Sequence, residues 1–128
     1  MTECIFCKIA NGEIPATKIW ENKDFFAFLD MNPITEGHTL LIPKKHSEYL
    51  FDLPDRDYVE LMLQAKLVAK KLKEKLNPKR VGMLVEGFAI SHVHIHLIPI
   101  NHGGEMNFSR AKPASQEELN KLAKKIKN

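Results

Sequence analysis

Only two cysteines occur in 128 residues. That is too few for the disulfide framework of a small secreted domain. No apolar run approaches the ~18 residues needed to cross a bilayer. The opening MTECIFCKIA places Glu3 where a secretory signal would carry positive charge. The expected location is therefore the cytoplasm, with no membrane partner, and a lasting disulfide between Cys4 and Cys7 is not expected there. Charge of one sign is scarce too: 19 Lys and Arg against 16 Asp and Glu leave +3. Lys121, Lys124, Lys125 and Lys127 crowd the tail of an expected helix, where they offset its dipole. No basic block is interleaved with aromatics, so nucleic acid is not an expected partner. The mild positive balance still suits a small anionic molecule.

What is present suffices for one core and not two. Hydrophobic residues make up 44% and charged ones 27%, and no repeat or linker interrupts the chain. A single unit over 1–128 is expected, with its core at about 4–104 and a C-terminal helical tail at about 115–127. A short helix over Cys4–Ala10 stops at Asn11-Gly12. Thr17–Glu21 and Phe25–Asp30 read as strands joined by a turn at Asn22-Lys23-Asp24. His38–Pro43 alternates as a strand does. From Asp55 to Leu76 the period becomes helical, with Val59, Met62, Ala65, Ala69, Leu72 and Leu76 on one side, until Asn77-Pro78 ends it. Val81–Glu86 and Ser91–Pro99 are two further strands around the Gly87–Ile90 loop. Ser115 and Glu118 form a capping box for a last helix. The sum is an α+β fold: about five antiparallel strands, one long helix and shorter ones. Residues 109–114 say little beyond loop.

The most informative run is SHVHIHLIPI. On a strand His92, His94 and His96 share one face, about 7 Å apart at a rise of ~3.3 Å per residue, and Val93, Ile95 and Leu97 share the other. A lone strand histidine is usually a satisfied core residue. Three in register, in a chain with only six, argue against that. Such a cluster repels itself if protonated, so it calls for a bound metal or a bound anion. Cys4 and Cys7 form a CxxC pair, which in the cytoplasm is a redox motif, a metal clip or coincidence. Only three residues precede Cys4, which leaves no room for the strand a redox motif wants.

The run HVHIHLI matches the apolar-spaced histidine motif that names the histidine triad (HIT) family. The stretch CIFCKIANGEIPATKIWENKDFFAFLDMNPITEGHTLLIPKKH also resembles that family's N-terminal half, so the likeness spans Cys4 to about Gly104. The resemblance implies a HIT-like fold and an enzyme that hydrolyses or transfers nucleotidyl groups at the α-phosphate of a purine nucleotide conjugate, a phosphoramidate or dinucleoside polyphosphate. It makes His94 the nucleophile of a nucleotidyl-histidine intermediate, a chemistry suited to a neutral imidazole with pKa ~6.5. His96 would hold phosphate oxygens or assist the leaving group. His38 would contact phosphate, against the plainer reading of a strand-start residue facing solvent. Zinc-binding members imply a structural Zn²⁺ on Cys4, Cys7, His46 and His92, closed by four protein ligands. Asp30 would accept from ribose hydroxyls, or serve merely as a turn residue. Ile5, Phe6, Ile9, Phe28 and Met31 would line the base pocket, although core packing is the plainer reading of any single one of Phe6, Ile9 and Phe28. The stretch from Leu84 to Ser91 departs from the better-known purine-nucleotide members. It lacks their Asn and is shorter, leaving backbone N–H groups near Gly87 and Ala89 to bind phosphate. A homodimer is implied as well. Two rivals stand beside this reading: a zinc-dependent hydrolase with His92 and His94 as metal ligands, and a non-catalytic nucleotide-binding regulator.

Overall fold

The computed structural model describes residues 3–127; Met1, Thr2 and Asn128, part of the expected unit 1–128, lie outside them. Three α-helices, α1 (Ile5–Ala10), α2 (Asp55–Leu76) and α3 (Gln116–Lys127), accompany five strands. The strands are β1 (Lys18–Glu21), β2 (Phe25–Leu29), β3 (Thr39–Pro43), β4 (Arg80–Leu84) and β5 (Ile95–Ile100). They form one sheet in the order β1-β2-β3-β5-β4, antiparallel throughout. No described helix is long and apolar enough to cross a membrane.

Local chemistry accounts for most boundaries. Cys4 caps α1 by accepting from the Cys7 N–H, and the N–H groups of Asn11 and Gly12 close it on Cys7 O and Ile9 O. The β1–β2 turn is built on Asn22, whose Oδ1 accepts from the N–H groups of Asp24 and Phe25 at 3.0 and 2.8 Å. Asn77 ends α2 in the left-handed region at φ 55°, which Asn tolerates better than most residues. The capping box forms as expected, Glu118 N–H to Ser115 Oγ and Ser115 N–H to Glu118 Oε1, both 3.1 Å.

The sheet is covered on both faces. Phe25, Ala27, Leu29, Leu41, Val93, Ile95 and Leu97 point to α2 and α3 and pack with Leu61, Ala65, Val68, Leu72, Leu119, Ala123 and Ile126. The helix expected as a tail thus contributes to the main core. Phe26, Phe28, Leu40 and Ile42 point the other way, against Phe6 and Ile9 of α1. Double coverage explains why β2 and β3 are buried along their whole length, so the alternation of His38–Pro43 separates two buried faces. Because α1 is only six residues long, it covers part of its face and leaves the rest to histidines.

Two expectations need correction. The buried stripe of α2 runs through Leu61, Ala65, Val68 and Leu72. Val59, placed on that stripe from the periodicity, is 54% exposed, since the helix is rotated to seat Leu61 and Val68 on the sheet. The strand expected over Ser91–Pro99 begins only at Ile95, so His92 and His94 precede it. The hydrogen bonds that would extend the ladder go elsewhere: Val93 N–H to Ser47 O at 2.7 Å, and the His92 ring to Pro43 O at 2.8 Å.

The β2–β3 connection reaches the site through Gly37, at φ +94°. A Cβ there would meet Leu76 Cδ1 and Pro99 Cγ, the latter at 3.1 Å. Left-handed strain and this crowding together make Gly37→Ala costly, by about 2–3 kcal/mol in a urea titration. A change within 0.5 kcal/mol would show that the loop relaxes freely.

Candidate active site and metal cluster

His94 keeps 3% of its surface exposed. Its ring meets the edges of Phe6 and His96, each at a centroid distance of 5.1 Å. Nδ1 lies 2.7 Å from the His92 carbonyl oxygen. A carbonyl only accepts, so Nδ1 carries the hydrogen and the Nε2 lone pair is left free.

A second chain of bonds defines His38 and His96. The Ile34 N–H donates to His38 Nδ1 at 3.0 Å, which puts the His38 hydrogen on Nε2. That atom lies 2.9 Å from His96 Nδ1 and donates to it. In the neutral His96 ring the hydrogen then sits on Nε2. Burial pushes both rings down to about 4, aided at His96 by the neighbouring rings His38 and His94. Both are neutral at pH 7. His38, expected either at phosphate or in solvent, is buried at 1% exposure and reaches the site through His96. Asp30 Oδ2 stands 3.6 Å from His38 Nε2, and Oδ1 accepts from the Asn32 N–H at 2.8 Å. Asp30 thus makes the turn contact and also faces His38. Burial raises its pKa, against the Asn32 N–H and the His96 and His94 rings.

These depressed histidines have a consequence for stability. Unfolded rings take up protons near pH 6.5, whereas the folded pair does so only near 4. Between those values the unfolded chain binds more protons, so stability falls as the pH falls. The expected loss from pH 7 to 4 is on the order of 3 kcal/mol per ring. A His38→Gln, His96→Asn double variant should show a shallower decline of urea midpoint over that window. An equal decline would contradict the assignment.

Beside this pair lies a Cys2His2 cluster. The ligand atoms of Cys4, Cys7, His46 and His92 all fall within 4.8 Å of one another. Cys4 Sγ is 3.3 Å from His92 Nδ1, and Cys7 Sγ is 3.3 and 3.5 Å from the Nδ1 atoms of His46 and His92. A tetrahedral zinc ion with Zn–S near 2.3 Å and Zn–N near 2.05 Å sets S···N at about 3.6 Å. The four residues therefore fit that ion in donor type and spacing. The His92 Nε2–H donates to Pro43 O, which turns the Nδ1 lone pair towards the sulfurs, the outer-shell arrangement usual for metal-bound histidine. Burial, with Cys4 second, raises the Cys7 thiol pKa.

The residues expected at the base divide into two sets. Phe6, Ile9 and Phe28 are buried in the smaller core cluster, with Phe6 edge-on to Phe28 at 5.7 Å. Ile5 and Met31 are exposed. Gly87, at φ +86°, has open space where a Cβ would sit, and Ala89 and Ser91 are exposed.

Sequence reasoning missed the segment after β5. Phe108 sets its ring edge against His96 at 5.1 Å. Lys112 and Ala114 donate to Pro33 O and Met31 O at 3.3 and 2.9 Å, laying residues 108–114 along the Asp30 loop. Asp30 and His38 also line a cavity of about 620 Å³ beneath Arg110 and Lys112. No periodicity or motif marks this segment, because isolated backbone bonds to a distant loop hold it.

A family profile described as the HIT domain matches residues 11–103. A HIT-like protein of Methanocaldococcus jannaschii is 37% identical, with 97% of this chain and 98% of that one aligned. The adenosine 5'-monophosphoramidase HNT1 of Saccharomyces cerevisiae is 39% identical over 94% of this chain and 77% of its own. Among solved structures, a Hit-like protein from Bartonella henselae superposes with TM-score 0.87 at 31% identity, covering 99% of this chain and 96% of that one. A Zn-bound histidine triad protein from Mycobacterium smegmatis gives 0.84 at 26% identity, covering 98% and 91%.

Proposed function

The chain belongs to the histidine triad family, the family of the HIT domain, and from that premise we propose that it hydrolyses a purine nucleotide conjugate at the α-phosphate through a nucleotidyl-histidine intermediate. The observation that carries this reading is the His94 ring, with Nδ1–H on the His92 carbonyl and the Nε2 lone pair unengaged. Nε2 attacks the α-phosphorus as the bond to the leaving group breaks, its electron pair going to the leaving atom. Water then displaces His94, releasing a nucleoside monophosphate. His96 presents Nε2–H to the phosphoryl oxygens or the leaving atom, stabilising charge as it develops. His38 holds His96 in that tautomer. An adenosine phosphoramidate is the substrate to try first, given the activity carried in the names of the yeast relatives.

Asp30 accepts from the ribose hydroxyls. Phe6, Ile9 and Phe28 back the base, Ile5 and Met31 flank it, and N–H groups near Gly87 and Ala89 meet phosphate. Cys4, Cys7, His46 and His92 hold a structural Zn²⁺, which when bound supplies a cross-link and no open coordination position. The unit works as a cytoplasmic single domain and a homodimer. Val59, Leu63 and Leu67 are exposed along one line of α2, and Met83 is exposed on the edge strand β4, an apolar surface suited to a second copy. The catalytic-zinc rival draws less support. Neither His, Cys and carboxylate cluster among the described residues includes His94.

Incubation with α-³²P-labelled adenosine phosphoramidate, quenched without acid, should leave label on the peptide containing His94. Turnover with no adduct, abolished by a chelator, would favour the metal mechanism. Binding without turnover would favour the regulator.

A further inference from the structure

We infer that the Cys4–Cys7–His46–His92 cluster positions the nucleophile: by clamping the His92 ring it holds the His92 carbonyl against His94 Nδ1 and so aims the His94 ring. The inference rests on the zinc and nucleophile readings above and concerns what couples them.

The sheet itself does not hold His94. Pairing of β5 with β3 ends at Leu41 opposite Ile95, and pairing with β4 ends at Leu84 opposite His96. Residues 91–94 belong to neither ladder. Continuing the β3 ladder would bring it to Pro43, which has no N–H to offer. The His92 side chain takes the place of the ladder there, its Nε2–H on Pro43 O at 2.8 Å. Its other ring nitrogen faces Cys4 Sγ and Cys7 Sγ at 3.3 and 3.5 Å. A ring fastened at both nitrogens has no rotational freedom, and its backbone carbonyl, 2.7 Å from His94 Nδ1, inherits that fixity.

Phe6 extends the coupling. It lies between the two cysteines in the chain, and its edge packs on both rings, 5.9 Å from His92 and 5.1 Å from His94. Closing the clip at Cys4 and Cys7 holds Phe6 in place. Apart from the local His92 N–H to Ile90 O bond, the remaining backbone tether of this segment is Val93 N–H to Ser47 O, just beyond His46. Cys4, Cys7, His46 and His92 are thus positioning residues, and the metal-free chain retains the Val93 N–H bond to Ser47 O and one of the two fastenings of the His92 ring, that to Pro43 O, to keep the nucleophile in register.

The test compares the full chain loaded with zinc and depleted by a chelator, with metal content measured in both. Three quantities are read: exchange of the His94 Nδ1–H proton by NMR, amide exchange at Val93 against Leu97 and Ile98, and kcat and KM separately. Depletion should speed exchange at His94 Nδ1–H and Val93 by about tenfold or more, while Leu97 and Ile98 in the ladder change less than about twofold. The kcat should fall about tenfold or more with KM within about twofold, and refilling with zinc or cobalt should restore it. Equal protection at His94 and Val93 in chains shown to have lost the metal overturns the inference. If depletion unfolds the chain, His46→Asn, which keeps three ligands, is read the same way. A chain that neither holds nor takes up zinc overturns it through the metal reading. Protection that depends on zinc, in a loaded chain with no turnover, upholds the positioning and sinks the nucleophile instead.

Discussion

Replacing His94 with Ala is expected to lower kcat/KM for adenosine phosphoramidate by roughly 10⁴-fold or more, ~5.5 kcal/mol of transition-state stabilisation. The loss should fall on kcat, since Nε2 forms its bond to phosphorus only during reaction. Nucleotide affinity should change by no more than about threefold, because Asp30 and the α1 face remain. The fold should survive. The ring's one hydrogen bond goes to the carbonyl of His92, and its packing partners Phe6 and His96 are held by other contacts. The truncation leaves a cavity worth about 2–3 kcal/mol, so thermal unfolding should remain cooperative at a lower midpoint. Residual turnover within tenfold of the parent chain would remove His94 from the mechanism. His96→Ala is a useful contrast. It takes away a donor and not the nucleophile, so a loss of about 10²–10³ is expected, with the adduct still forming on His94.

Loss of the metal cluster should produce the second large effect, on stability more than on binding. A Cys4→Ser, Cys7→Ser chain is expected to bind no zinc and to unfold at a markedly lower temperature. At free zinc a thousandfold above Kd, the parent gains about 4 kcal/mol over its own metal-free form. The physical reason is the weakness of what the cluster ties down. A six-residue helix has no stability of its own, and α1 is anchored otherwise by Phe6 and Ile9 alone among its fully buried side chains. The same cluster gathers residues 4, 7, 46 and 92, closing loops of the chain whose entropy the unfolded state would regain. Calorimetry with and without chelator, alongside metal analysis, decides it. Identical midpoints for the zinc-loaded parent and the double-serine chain would show that the four residues pack without needing an ion.

Helix α2 was legible to both of its ends. Twenty-two residues of helical period run into Asn77-Pro78, a stop signal of local chemistry. The capping box of Ser115 and Glu118 and the Asn22 turn were legible for the same reason: donor and acceptor lie within three residues of each other. The triad could be seen as a cluster because alternation along one extended segment brings its histidines together. The expectation of a role for Asp30, and of His46 and His92 as ligands, came only through family resemblance. Neither spacing nor composition links residue 46 to residue 4. Besides the exposed Val59 of α2, two features were misread or missed. The start of β5 was placed too early because HVHIH alternates like a strand whether or not a neighbour pairs with it. Phe108 carried no signal, since its contact with His96 is made by a segment without periodicity.

Sequence alone determined the α+β class, the long helix and the identity of the imidazoles, because each depends on residues near one another in the chain. Only the tertiary structure decided where the ladder stops and which ring nitrogen carries each hydrogen. It also decided that His38 Nε2–H meets His96 Nδ1 and that the thiols face the His46 and His92 rings. Most of those outcomes turn on hydrogen-bond partners 39 to 88 residues apart in sequence, which packing chooses; the hydrogens on His94 and His38 are set instead by the His92 carbonyl and the Ile34 N–H, two and four residues away.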